Sequence, residues 1–111
     1  MNIETIREYI LQKDDVTEGF PFGEDVLVFK VNGKMFFLTG LDRSPLQFNV
    51  KCDPDKAIEL REEYPETVLP GYHMSKKSWN TVIVDGRLSA KQLKEMIDDS
   101  YALVAPKIRG K

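Results

Sequence analysis

Asn32-Gly33 lies between two apolar and aromatic runs, Val26–Val31 and Lys34–Thr39. No other feature constrains this chain as strongly. Both residues tolerate positive φ, which a two-residue hairpin turn requires if its twist is to match that of the flanking strands. The turn sets a register with Val31 opposite Lys34, Lys30 opposite Met35 and Phe29 opposite Phe36. Strict alternation then puts Leu27, Phe29, Val31, Phe36 and Leu38 on one face, assigned to the core, and Val28, Lys30, Met35 and Phe37 on the other.

The elements around this hairpin follow from periodicity and caps. Residues 2–13 read as a helix capped by Asn2, with Ile3, Ile6 and Ile10 at helical spacing. Val16–Phe20 is a short extended piece ended by Pro21-Phe22-Gly23. Leu46–Lys51 alternates, with Leu46, Phe48 and Val50 inward and Gln47, Asn49 and Lys51 outward. Asp53 caps a second helix whose first turn holds Pro54, where a missing N–H costs nothing. Its stripe is Ala57, Leu60, Arg61 and Tyr64, and Pro65 prevents easy continuation. Glu66–Ser78 has no clear period and holds a Pro70-Gly71 turn. Trp79–Val84 is a strand with Val82 and Val84 inward and Trp79, Thr81 and Ile83 outward. Ser89 and Gln92 form a capping box for a last helix, whose stripe is Leu93, Met96, Ile97, Tyr101 and Val104 and which Pro106 ends.

The order α-β-β-β-β-α-β-α around a central hairpin predicts an α+β fold, an antiparallel sheet with three helices packed on one face. A chain of 111 residues is the size of one domain, here 1–111. With 41% hydrophobic residues it can fill a core. No apolar run reaches the length of a membrane span, so no membrane partner is expected. One cysteine, Cys52, cannot form an internal disulfide, and the acid-bearing N-terminus does not read as a secretory signal. The expectation is a cytoplasmic, bacterial protein.

A net charge of −2 leans against a dedicated nucleic-acid binder. The charges are segregated, however. Residues 1–25 carry −5, 26–51 carry +3, 52–71 carry −4 and 72–94 carry +4. If acidic segments are helices and basic ones strands, one side of the molecule is positive.

Familiar chemistries are missing. One His and one Cys do not make a structural zinc site, and there is no phosphate loop, nucleophile elbow or HExxH motif. The expectation is no enzyme, no metal and no cofactor. Cys52 and His73 would make a thiolate pair only if folding joined them, and Cys52 reads better as a small buried hydrophobe. The stretch Gly71–Val82 is the most informative. It holds Tyr72, His73, Lys76, Lys77 and Trp79, the ingredients for phosphate contact and base stacking. On the sheet face away from the helices, Lys30, Asn49, Lys51 and Trp79 stand beside Met35 and Phe37. Either these apolar groups lie open or the 66–78 segment covers them.

GYHMSKKSWNTVIVDG, preceded by FPFG, VFKVNGKMF and NVKCDP and followed by SYALV, resembles the bacterial MmcQ/YjbR family over nearly the whole chain. The resemblance implies a frataxin-type (CyaY-like) sandwich and a DNA-binding role. Lys30, Lys34, Asn49, Lys51, His73, Lys76 and Trp79 match family positions. Ser75 and Ser78 stand where the family pattern often has Asn and His. The expected nucleic-acid-binding set is therefore Lys30, Lys34, Asn49, Lys51, His73, Lys76, Lys77 and Trp79. In it lysines take phosphates, Trp79 stacks, and Asn49 and His73 donate hydrogen bonds. The alternative is a protein–protein adaptor of frataxin-like or secretion-chaperone-like fold. In either case the chain is expected as a monomer or weak homodimer.

Overall fold

A computed structural model describes residues 1–42, 44–72 and 74–105. Helix α1 spans Ile3–Leu11. Its cap is reciprocal: the Thr5 amide donates to Asn2 Oδ1 at 2.9 Å, and the Asn2 amide donates to the Thr5 hydroxyl at 3.1 Å. Strands β1 (Val16–Gly19), β2 (Val26–Val31), β3 (Lys34–Gly40) and β4 (Leu46–Lys51) follow. Helix α2 (Pro54–Glu63) is capped by Asp53. Then come β5 (Val68–Pro70), β6 (Trp79–Val84) and helix α3 (Ala90–Val104), which opens with the Ser89–Gln92 capping box. The expected order is present, with one three-residue strand, β5, added inside the stretch read as irregular. Too short to show a period, β5 exists because it pairs with β6.

All strands are antiparallel in one sheet, ordered β1-β2-β3-β4-β6-β5. The helices cover one face. Ile6 and Ile10 of α1 and Leu93, Met96 and Ile97 of α3 pack against Leu27, Phe29, Val31, Phe48, Val50 and Val82, while Leu60 and Tyr64 of α2 pack at the margin.

The hairpin corrects the expected register. Asn32 (φ 50°) and Gly33 (φ 80°) form the turn, and Val31 pairs with Lys34 and Lys30 with Met35 as expected. Phe29, however, pairs with Phe37, because Phe36 is an extra residue in β3. This bulge breaks the alternation. Phe36 and Phe37 both enter the helix-side core, and Leu38 turns to the opposite face. The expected positions of Phe37 and Leu38 are thus reversed. Phe37 then sits between two rings, stacked on Phe48 with centroids 4.9 Å apart and edge-on to Phe29 at 5.6 Å.

The bulge also ends the β3–β4 ladder at Phe37–Val50. Where the next rung would form, the buried Ser100 hydroxyl of α3 intervenes. It accepts from the Lys51 amide at 2.8 Å and donates to the Phe36 carbonyl at 2.5 Å. Two backbone groups that the ladder would orphan are satisfied by one side chain.

Two polar junctions hold α1. Arg7 grips the Glu18 carboxylate of β1 through Nε at 2.7 Å and Nη2 at 2.5 Å, which holds that carboxyl below its ordinary range. The Tyr9 hydroxyl donates to the Asp98 carboxylate of α3, at 2.7 Å to Oδ1, and Lys13 completes the pair at 2.5 Å. Burial, and then the Asp98 carboxylate, push the Tyr9 phenol up to about 12.

Candidate functional site

The face opposite the helices carries its own small cluster of Val28, Leu38 and Trp79, with Val26, Met35 and Met74 at its edge. Trp79 pairs with Lys51 and is on the expected face. It is only 8% exposed, so the expected open stacking surface is corrected. The cover comes from residues 71, 72 and 74–78, with Met74 packed at the edge of the cluster. The Gly71 amide donates to the Trp79 carbonyl at 2.9 Å, and the Trp79 amide donates to the Ser75 carbonyl at 3.0 Å. Gly71 is needed there because a Cβ would lie 2.8 Å from Trp79 Cβ. Arg61 of α2 anchors the same segment. Its Nε donates to Asn80 Oδ1 at 2.8 Å and its Nη2 to the Lys76 carbonyl.

Beside this cover runs a groove of about 470 Å³. Met35, Leu38 and Asn49 line it from the sheet, Tyr72 from the covering segment, and Phe22 from the loop between β1 and β2. Phe22 is 61% exposed and Tyr72 50% exposed. Asn49 is fixed by a relay in which the Tyr72 amide donates to the Thr81 hydroxyl at 2.9 Å and that hydroxyl donates to Asn49 Oδ1 at 2.5 Å. The bond to Oδ1 fixes the orientation of the amide, whose NH₂ is the donor that Asn49 can offer. Two carboxylates, Asp25 and Asp42, also border it. Segment charges did not reveal this, because Asp42 is the single acid of a basic segment and only folding brings Asp25 to it. The Leu41 amide donating to the Asp25 carbonyl at 2.6 Å ties the two loops together.

The expected binding residues divide into three groups. Lys30 lines a neighbouring depression of about 380 Å³ with Phe20 and Pro21. Glu18 borders the same depression but is held by Arg7. Lys51 and Asn49 share the helix-free face through their pairing with Trp79 and Thr81. Lys76 and Lys77 are exposed on the covering segment, with the Lys76 amine 3.2 Å from the Gly71 carbonyl. Lys34 does not join them. It pairs with Val31, whose side chain is in the helix-side core, so it projects from the far side of the hairpin end. His73 lies outside the described residues. Among the described residues, none of Lys30, Lys34, Lys51, Lys76 and Lys77 is paired with a carboxylate, whereas Arg7, Lys13, Lys56 and Arg87 all are.

Cys52 is buried and its amide donates to the Ser78 carbonyl at 2.8 Å. Burial raises its thiol above the ordinary range, as expected of a packing cysteine. Among the described residues no three His, Cys, Asp or Glu side chains are grouped to hold a metal ion. No helix there is long and apolar enough to cross a membrane.

One antiparallel sheet, helices on one face and a groove on the other, define a small α+β domain of a single layered pair. The chain belongs to the YjbR family, whose model matches residues 11–103. It is 38% identical over 101 residues to the uncharacterised protein YbdF of Escherichia coli O157:H7, covering 91% of this chain and 82% of that one. It is 26% identical over 101 residues to the uncharacterised protein YjbR of E. coli K12, covering 91% and 85%. Among solved structures it is similar to Deinococcus radiodurans DR2400, a DUF419 domain, with a TM-score of 0.89 and 37% identity over 93% of this chain and 78% of that one. A Pseudomonas syringae protein matches with a TM-score of 0.75 and 28% identity, over 94% and 99%.

Proposed function

We propose that this chain is a non-enzymatic binding module of the bacterial cytoplasm, a monomer or weak homodimer, whose helix-free sheet face engages nucleic acid, with DNA the first partner to test. One observation carries the reading. Lysines that no carboxylate holds accompany an aromatic-walled groove: Lys30 lines the depression beside it, and Lys76 and Lys77 are exposed on the segment that carries Tyr72. Cations take phosphates and release counterions, while exposed rings offer stacking. Tyr72 and Phe22 take the stacking role that the sequence had assigned to Trp79, and Trp79 supports the segment that carries Tyr72. Labelled duplex and single-stranded oligonucleotides, titrated at two salt concentrations, test the reading. Binding should weaken with salt at a log–log slope of about −0.7 to −0.9 per phosphate contacted. Absence of binding in dilute buffer would overturn it.

A protein-adaptor role, in keeping with a frataxin-like or secretion-chaperone-like fold, is favoured by a different observation. Phe20, Phe22, Leu41 and Tyr72 are all strongly exposed, and Phe22 and Tyr72 line the groove itself. A partner retained after nuclease treatment and not displaced by oligonucleotide would support that role.

A further inference from the structure

We infer that the groove is a pocket for a single unstacked base bearing an exocyclic amine, so that the chain prefers single strands to duplex. This rests on the nucleic-acid reading and names the substrate within it. Three features of the groove converge. Its walls present two exposed rings, Phe22 from the β1–β2 loop and Tyr72 from the covering segment, against which a flat heterocycle can lie. Its floor presents the Asn49 amide, which the bond from Thr81 to Oδ1 orients and whose NH₂ is its donor. Its rim presents two groups that only accept, the carboxylates of Asp25 and Asp42.

These carboxylates repel phosphate, so the sugar–phosphate chain cannot be what enters. A group that donates protons to carboxylates while accepting from an amide fits instead. The Watson–Crick edge of cytosine, with N4–H₂ beside N3 and O2, has that pattern, whereas thymine turns a carbonyl toward the acids. The backbone is left to the lysines outside. Lys30 lines the depression beside the β1–β2 loop, and Lys76 and Lys77 are exposed on the segment that carries Tyr72. A strand crossing from one to the other drops a base between them. A base still paired in a duplex cannot make that insertion.

Fluorescently labelled oligo-dC, oligo-dT and a duplex of equal length form the test, in low and moderate salt. Oligo-dC should bind about tenfold more tightly than oligo-dT, and both more tightly than duplex. In the Asp25→Asn, Asp42→Asn double variant the dC-over-dT preference should fall to parity. Overall affinity should rise, since two negative charges have left the phosphate path. If that variant does not fold, free cytidine and uridine titrated into the unaltered protein decide the matter. Cytidine should perturb the NMR signals of Asn49 and Tyr72, and uridine should not. Equal affinity for oligo-dC and oligo-dT, or tighter binding to duplex, overturns the base pocket and leaves the proposed function standing. Failure of every oligonucleotide to bind in low salt overturns the proposed function and the pocket with it.

Discussion

Replacing Ser100 by Ala would strand the Lys51 amide and the Phe36 carbonyl in the core together. Each buried, unsatisfied group costs about 1–3 kcal/mol, so Ser100→Ala should lower stability by about 2–6 kcal/mol. Urea unfolding should show this as a lower midpoint at unchanged m. Tyr9 gives a second expectation, on pH. Its phenol keeps its proton up to about 12, against an ordinary value of 10.0 in the unfolded chain. A group whose folded pKa is raised contributes stability that is fully present below the unfolded pKa and is lost as pH climbs through the folded one. Stability measured from pH 9 upward should therefore fall through the interval from 10 to about 12, and Tyr9→Phe should remove that part of the slope. Neither role was legible in the sequence. A serine on a helix stripe at the spacing of Leu93, Met96, Ile97 and Val104 reads as a tolerated small residue. The need for its hydroxyl arises only from the bulge at Phe36, a neighbour in space that is 64 residues away in sequence.

Elements whose cause is local were legible, and those caused by a neighbour were not. The three N-caps and the Asn32-Gly33 turn lie where their side chains and φ preferences put them. The β3 bulge and strand β5 depend on partners distant in sequence, and alternation alone gave the wrong faces for Phe37 and Leu38. The cover over Trp79 is of the second kind, and it has its own test. In Gly71→Ala the new methyl meets Trp79 Cβ and the Trp79 carbonyl at about 2.8 and 2.9 Å, and neither is the loose end of a side chain. The cover must lift, at about 1–3 kcal/mol. Emission from Trp79, the single tryptophan, should be blue and resist iodide in the unaltered protein. In the variant it should shift red and become quenchable.

At the scale of the whole molecule, alternation along β2 and β4 pointed to the side the helices leave bare, and Lys30 and Lys51 lie on it. Pairing on the sheet separates Lys34 from that set, because it stands across from Val31. Lys34→Gln should therefore leave the salt slope of oligonucleotide binding unchanged, whereas Lys76→Gln should reduce its magnitude by about 0.7–0.9. Equal effects of the two would mean that charge acts without regard to face. The strand order has one further effect. The two outermost strands are the shortest, β1 with four residues and β5 with three, and β5 closes on Pro70, which has no N–H to offer. Such borders give an incoming chain little to zip onto, so self-association by sheet extension is discouraged. Crowded copies of this molecule should stay dispersed, and any lasting pair must meet flat side to flat side.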